Sequence, residues 1–307
     1  MHGIVVRNTG STYIVRTDEG KMVECRVKGN FRIKGIRTTN PVAVGDGVTL
    51  REDGEWITAI DERRNYIIRK ASNLSKQSHI LAANIDLALL VVTIARPETS
   101  TTFIDRFLAT AEAYRVPVVI VFNKTDDLSD EERATMEYLT LLYQHIGYEV
   151  RAISALEGKG IEALREQMKG RVCLLAGHSG VGKSTLINRL LPGVNVRTAN
   201  ISEAHGTGMH TTTFSALYDL PEGGSVIDIP GIKGFGTFDM EPEEVAHYFR
   251  EIFSIGQACR FDNCTHTHEP GCAVKKALEE HTISESRYAS YLSIIEDASP
   301  DKYRKPF

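Results

Sequence analysis

Two different patterns of apolar and polar residues divide the chain, and they predict two kinds of structure. In residues 1 to about 68, short runs rich in β-branched residues are separated by turn signals such as Glu19-Gly20 and Asp53-Gly54. Five runs with this punctuation predict a small all-β barrel of the OB type. The runs lie at 4–6, 13–15, 22–23, 48–50 and 56–58.

The central part of the chain has the periodicity of alternating strands and helices. Residues 85–92 and 118–122 are continuously apolar or nearly so, which is typical of strands buried on both faces of a sheet. Between them, apolar residues recur at helical spacing, at Ile104, Phe107, Leu108 and Ala111. Further helices are predicted at 131–146 and 161–168, and further strands at 149–153, 171–176 and 225–227. This alternation predicts a parallel sheet covered by helices.

A glycine-rich loop follows the predicted strand at 171–176 and precedes a helix that starts near Leu186. Strand, glycine loop and helix in this order form the context of a phosphate-binding P-loop. The loop N–H groups point at the phosphates, Lys183 reaches the β- and γ-phosphates, and the Ser184 hydroxyl ligates Mg²⁺. The predicted nucleotide-binding residues here are Gly177, His178, Ser179, Gly180, Val181, Gly182, Lys183, Ser184 and Thr185.

The strand at 118–122 runs directly into the sequence Asn123, Lys124, Thr125, Asp126. Ligands of open α/β sheets bind at the carboxyl ends of strands, and Asn-Lys-x-Asp at such a point is the guanine-reading signature of GTPases. The Asp126 carboxylate can accept hydrogen bonds from guanine N1–H and the exocyclic amine, whereas adenine would leave it unpaired. Ser154 and Ala155, after the next strand, fit a second base-contacting loop, with the Ala155 N–H on guanine O6.

The segment after the P-loop supplies the remaining predicted contacts to Mg²⁺ and the γ-phosphate. Residues 194–210 are polar and contain glycine, so we expect a mobile loop there. Among the threonines that follow, Thr212 is the predicted Mg²⁺ ligand. The sequence Asp228-Ile229-Pro230-Gly231 ends the strand at 225–227, with Asp228 as a Mg²⁺ ligand and the Gly231 N–H on the γ-phosphate.

Three cysteines and a histidine lie within fourteen residues near the C-terminus, at Cys259, Cys264, His266 and Cys272. This is a closed set of four ligands for a structural Zn²⁺, with no open position for catalysis. His268 is the alternative imidazole ligand. The spacing differs from that of a groove-reading zinc finger, so we expect no sequence-specific binding to DNA.

Composition and charge limit the cellular setting. The net charge of −4 over 307 residues gives no global attraction to nucleic acid, so any contact with RNA must come from local basic patches. One such patch is the acid-free segment 26–37, with five cations around Phe31. We expect a cytoplasmic protein without a membrane partner, because the chain has no apolar span, no recognisable signal peptide and an odd number of cysteines.

The motifs occur in an unusual order, since the guanine-reading sequence precedes the P-loop instead of following it. With these motifs the chain resembles the RsgA/YjeQ family of circularly permuted GTPases. The resemblance covers essentially the whole length. It is carried by residues 77–86, 104–108, 123–126, 177–185 and 208–213 and by the cysteine cluster.

The resemblance implies a multi-domain protein. Its parts would be an N-terminal OB-fold barrel for RNA at 1–68, a circularly permuted α/β P-loop GTPase domain at 72–236 and a mainly helical zinc domain at 237–307. It also implies late maturation of the small ribosomal subunit and contact with its rRNA, with GTP hydrolysis to GDP stimulated by the ribosome. It places the family's zinc ligands on the same four residues. We expect a monomer.

Two questions of mechanism stay open at this point. Ile232 occupies the position whose side chain orients the attacking water in Ras-like proteins, so intrinsic hydrolysis should be slow. His210 is the candidate for placing that water. The competing interpretation is a GTP-gated rRNA-binding scaffold whose hydrolysis is incidental. An ATP-dependent kinase or helicase is disfavoured by Asp126.

Overall fold

The computed structural model describes residues 1–10, 12–27, 41–70, 78–193, 215–229 and 240–298. Its strands are β1 His2–Asn8, β2 Tyr13–Thr17, β3 Met22–Val27, β4 Gly47–Leu50, β5 Trp56–Ile60, β6 Tyr66–Lys70, β7 Ser78–Ala83, β8 Leu87–Val92, β9 Val118–Phe122, β10 Glu149–Ala152, β11 Val172–Ala176, β12 Ala216–Asp219 and β13 Ser225–Asp228. Its α-helices are α1 Thr101–Ala113, α2 Asp130–His145, α3 Ile161–Met168, α4 Lys183–Leu190, α5 Arg250–Gly256, α6 Ala273–Glu279 and α7 Glu285–Ala298.

The first five strands form the predicted barrel. They lie in the order β1, β2, β3, β5, β4, and an additional antiparallel pairing of β1 with β4 closes it. Alternate residues such as Tyr13, Val15 and Ile57 point into a separate apolar cluster and are almost fully buried. The predicted five-strand N-terminal barrel is therefore confirmed.

A two-stranded antiparallel hairpin of β6 and β7 follows the barrel, and the sequence patterns did not reveal it. Its apolar residues Ile68, Ile80 and Ala83 form a small cluster together with Ala43. The strands are short, and the segment 71–77 between them lies outside the described residues. The sequence did not predict these strands, because two short apolar runs without a recognisable turn signal show no periodicity that would distinguish a strand from a loop.

The central sheet is parallel through β10, β9, β8, β11 and β13. Both faces are covered, since one apolar cluster lies on the side of α1 and α2 and another on the side of α3 and α4. All residues of β8 and β9 are buried, which explains why these strands appear in the sequence as continuous apolar runs. The observed bounds differ from the predicted ones by at most two residues for these strands.

The barrel and the parallel sheet share one hydrogen-bonded sheet. Antiparallel β12 pairs with β13 on one side and with β1 on the other, at Arg7 and Ala216. An ion pair between Arg16 and Asp219 lies along the same junction. This continuity was not predicted, because strand pairing between distant segments leaves no local signal in the sequence.

The C-terminal helices surround their own apolar cluster, which also includes Ala109 of α1. The apolar residues that precede the cysteines divide between a 3₁₀ turn, Val245–Tyr248, and α5. Val245, Phe249 and Ile252 are fully buried, but Phe253 is 44% exposed. Among the helices of the described chain, none is long and apolar enough to span a bilayer.

Candidate nucleotide and metal sites

Four of the predicted nucleotide-binding segments lie at one edge of the sheet. Strands β9, β10, β11 and β13 are parallel, and they end just before Asn123, Ser154, Gly177 and at Asp228. Since parallel strands present their carboxyl ends at the same edge, the structure brings these segments together. Thr212, His210 and Gly231 fall outside the described residues.

The P-loop runs from β11 to the N-terminus of α4, as its sequence predicts. The Lys183 amine folds back over the loop and donates to the carbonyl oxygens of Gly177 at 2.7 Å and His178 at 2.9 Å. Burial lowers the pKa of Lys183 to about 8, and burial also raises the pKa of Asp228 to about 6. Both charged groups are thus poorly solvated. A bound anion would stabilise the charged form of Lys183, and a bound cation would stabilise the charged form of Asp228.

Asn123 connects the loops that the sequence predicts to read the base and to bind the phosphates. Its Nδ2 donates to the Val181 carbonyl at 2.8 Å, and its Oδ1 accepts from the Ala155 N–H at 3.0 Å. A Cβ at Gly182, where φ is +96°, would lie 2.4 Å from the Asn123 amide nitrogen, so only glycine fits there. The three loops therefore hold a fixed mutual geometry through one side chain.

Lys124 and Asp126 lie on a short turn that follows β9. Thr125–Asp127 is a 3₁₀ turn, and Lys124 before it has a left-handed φ of 63°. Asp126 is exposed on this turn. The Lys124 amine donates to the Arg96 carbonyl at 2.6 Å, which stretches its methylene stem beside Gly182. That stem is placed to lie along a planar base.

The loop of residues 93–100, between β8 and α1, contacts the P-loop, and sequence reasoning missed it. Thr99 Oγ1 lies 2.7 Å from His178 Nε2, and the Phe103 ring meets the His178 ring edge-on. Because His178 Nδ1 donates to the Ser179 carbonyl, its Nε2 accepts from the Thr99 hydroxyl. Burial lowers the pKa of His178, in keeping with this neutral form. The His178 side chain thus supports the loop from outside.

Arg189 is a second residue that the sequence patterns missed. From the last turn of α4, its Nε donates to the Ala155 carbonyl at 3.1 Å, and its guanidinium also contacts the Leu156 carbonyl. The helix that begins at the P-loop therefore ends on the loop of Ala155, the second loop that the sequence predicts to contact the base. A lone arginine in an amphipathic helix gives no sequence signal for such a role.

The four predicted zinc ligands form one cluster. Their candidate ligand atoms all lie within 4.8 Å of one another. The Sγ atoms of Cys259 and Cys272 are 3.8 Å apart, and His266 Nδ1 is 3.5 and 3.4 Å from them. A tetrahedron with Zn–S bonds of about 2.3 Å has S–S edges of about 3.8 Å. The donor set and its size therefore fit Zn²⁺.

Groups around this cluster orient its ligands. The Ala273 N–H donates to Cys259 Sγ at 3.3 Å, and the hydroxyls of Tyr288 and Tyr291 on α7 donate to the carbonyls of His266 and Thr265. A Cβ at Gly256 would lie 3.1 Å from the His266 ring. His268 instead contacts Thr267 and is exposed, so it lies outside the four-residue cluster.

The fold and the first of these sites define a class of protein. A parallel sheet with a P-loop on β11 and an Asn-Lys-x-Asp turn on β9 is the architecture of a GTPase, with the usual order of the motifs circularly permuted. Comparison with known proteins identifies the family within this class. The family model described as RsgA GTPase matches residues 60–238, and the RsgA N-terminal domain model matches residues 2–60.

Relatives of known name are similar over the full length. The protein named small ribosomal subunit biogenesis GTPase RsgA of Bacteroides fragilis is 62% identical, with 100% of both chains covered. The protein of the same name from Porphyromonas gingivalis is 56% identical, again with 100% of both covered. The chain belongs to the RsgA GTPase family, and the predicted GTPase class is confirmed.

Two solved structures share the whole fold. YjeQ from Thermotoga maritima is 35% identical with a TM-score of 0.75, and the match covers 97% of this chain and 98% of that one. YloQ, described as a circularly permuted GTPase, is 28% identical with a TM-score of 0.71, covering 99% and 96%. The circular permutation expected from the motif order is confirmed.

Proposed function

We propose that the chain hydrolyses GTP to GDP and phosphate during maturation of the small ribosomal subunit, with turnover stimulated by that subunit. The names of its full-length relatives support this role. The observation that carries the proposal is the Asn123 linkage, because it ties a guanine-reading turn to a P-loop.

In this proposal, Asp126 accepts from guanine N1–H and the exocyclic amine, and the Lys124 stem covers one face of the base. Asn123 keeps both loops in register, and Thr125, Ser154 and Ala155 complete the base pocket. The Ala155 N–H already donates to Asn123 Oδ1, so its contact to guanine O6 is a shared, three-centre hydrogen bond.

The P-loop N–H groups and Lys183 hold the phosphates. Ser184 and Asp228 are the proposed Mg²⁺ ligands of the described chain, and Thr212 is the third. The ion, when bound, neutralises charge on the β- and γ-phosphates. The Gly231 N–H is proposed to contact the γ-phosphate. Ile232 cannot hydrogen-bond water, so His210 is proposed to orient it, with its position set by binding to the ribosome.

The other parts of the chain hold and place the GTPase domain. We propose that the four-residue cluster binds one structural Zn²⁺, that the barrel at 1–68 contacts rRNA, and that 72–236 and 237–307 are the GTPase and zinc domains. Of the acid-free segment 26–37, residues 28–37 lie outside the described residues. We propose a cytoplasmic monomer.

The decisive experiment is GTP turnover by the purified, zinc-loaded protein with and without purified small subunits. Stimulation by small subunits and competition by GDP but not ADP are expected. Equal turnover with and without subunits would contradict ribosome-stimulated hydrolysis and favour the GTP-gated scaffold. In parallel, unchanged stimulated turnover in His210→Ala would remove His210 from the mechanism.

A further inference from the structure

The loop of residues 93–100 links the two halves of the nucleotide site, although it carries none of the recognised GTPase motifs. It is closed on itself, because the Thr99 N–H donates to the Thr93 carbonyl and the Thr93 N–H to the Thr99 hydroxyl. On one side, Pro97 and Thr99 lie against Gly180 and His178 of the P-loop. On the other side, Arg96 reaches the turn that carries Asp126.

The three guanidinium nitrogens of Arg96 join that turn to α2. Its Nε donates to Asp127 Oδ2 at 2.7 Å, and its two terminal nitrogens donate to the Glu132 carboxylate at 2.8 and 2.9 Å. One of these nitrogens also donates to the Asp127 main-chain carbonyl. The guanidinium thus ties the residue after Asp126 to the first turn of α2.

The main chain of Arg96 holds the other end of the same turn. The Lys124 amine donates to the Arg96 carbonyl at 2.6 Å. Both residues have left-handed backbone conformations, with φ of 52° and 63°, which non-glycine residues adopt only when surrounding contacts enforce them. The residues on either side of Thr125 and Asp126 are therefore both fixed by Arg96.

The contacts of Arg96 persist across the physiological pH range. The Arg96 guanidinium lowers the pKa of Glu132 to about 2, so this carboxylate stays ionised. Glu132 also accepts from the Ser129 N–H in the capping box of α2, which fixes its position. A planar, bidentate pair of this kind confers orientation as well as attraction.

We propose that Arg96 is a positioning residue for guanine recognition, which holds the turn 124–127 so that the Asp126 carboxylate faces both donors of the base. The inference rests on the proposed role of Asp126. Two hydrogen bonds to one carboxylate form together only if its plane is aligned with the base edge. Phosphate contacts through Lys183 do not depend on this alignment.

The test compares nucleotides that differ only at the base edge. Inosine triphosphate retains N1–H but lacks the exocyclic amine, so the ratio of its Kd to that of GTP reports the second hydrogen bond to Asp126. Arg96→Ala should weaken GTP binding about tenfold and inosine triphosphate binding much less, which lowers this ratio. Arg96→Lys keeps the charge without the planar fork and should lie between.

A matched control is Arg151→Ala. Arg151 is a similarly exposed arginine on β10, and its side chain pairs with Glu149 rather than with a nucleotide loop. For Arg151→Ala, the ratio of the Kd for inosine triphosphate to the Kd for GTP should equal that of the wild type. A second variant, Asp127→Ala, should shift the ratio in the same direction as Arg96→Ala. The double variant should be no weaker than Arg96→Ala alone, because the two residues act through one turn.

The outcomes separate the two levels of the proposal. If the wild-type protein shows no preference for GTP over ATP, the role of Asp126 fails. If that preference is present and Arg96→Ala keeps the wild-type ratio, or weakens both nucleotides equally, the positioning role of Arg96 is overturned. Thermal unfolding and zinc content of each variant verify that the fold is intact.

Discussion

Asp105 and Arg287 stand 182 positions apart in the chain and form an ion pair with 2.7 Å between Oδ1 and Nη1, in which both side chains are essentially fully buried. The same carboxylate oxygen accepts from the Tyr143 hydroxyl, and Arg287 also pairs with Glu251 and lies over the Phe249 ring. Asp105 is on α1, so the helix whose first turn touches His178 also anchors the C-terminal helices.

We expect Arg287→Ala to destabilise the protein by about 3–5 kcal/mol, because the Asp105 carboxylate would remain buried without its partner. The measurement is the free energy of unfolding from denaturant titration. The control is Arg51→Ala, which removes a solvent-exposed pair with Asp53 and should leave the free energy of unfolding nearly unchanged, because water and salt screen such a pair. Equal losses in the two variants would contradict the proposed anchoring.

The base preference should change with Asp126→Asn. An amide offers one acceptor and one donor, which match the N1–H and the C2 carbonyl of xanthine instead of the two donors of guanine. GTP binding should weaken at least about 100-fold while xanthosine triphosphate binding strengthens, as measured by competition. Asp130→Asn, an exposed carboxylate at the start of α2, serves as the control. Unchanged selectivity would remove Asp126 from the base pocket.

Asp228→Asn should stabilise the protein in the absence of nucleotide at pH 7.5. Burial raises the pKa of Asp228 from 3.8 to about 6, so the folded state binds its proton more tightly than the unfolded state. The stability that the protonated Asp228 carboxyl contributes is fully present below about pH 4 and is lost as the pH rises through 6. Above that pH, the buried carboxylate lowers the free energy of unfolding by up to about 3 kcal/mol.

The measurement is the unfolding temperature of wild type and Asp228→Asn from pH 7.5 down to pH 5. The advantage of the variant should shrink over this range, since the wild-type carboxyl becomes protonated. Mg²⁺-dependent GTP binding should be lost in the same variant. An advantage that does not change with pH would show that the carboxylate is not the origin of the effect.

Zinc content should distinguish the two neighbouring histidines. His266→Ala should reduce bound zinc from about one per chain to a small fraction and should destabilise α6 and α7, since the metal closes a segment with little apolar area. His268→Ala should leave zinc content unchanged, because this side chain lies outside the cluster. Loss of zinc in the second variant only would reverse the assignment of the ligand.

Much of the fold and the candidate sites could be predicted from contiguous sequence. The strands at 118–122 and 149–152 and the helix at 161–168 lie within a residue of their predicted bounds, since burial on one or both faces imposes a regular apolar pattern. The pairing of β1 with β12 was missed because these strands lie far apart in the sequence, and pairing between distant strands leaves no such pattern. The hairpin of β6 and β7 was missed because its strands are too short to show one.

The sequence by itself determined where the P-loop, the Asn-Lys-x-Asp turn and the cluster of three cysteines and a histidine lie. In each of these, neighbouring residues must meet one small ligand, so the chemistry requires fixed residue types at fixed short spacing. Only the tertiary structure decided that Arg96 holds the turn beside Asp126, that Arg189 reaches Ala155 and that Arg287 meets Asp105. An arginine looks the same in sequence wherever it lies, and its partner is chosen by the packing of the elements that carry the two side chains.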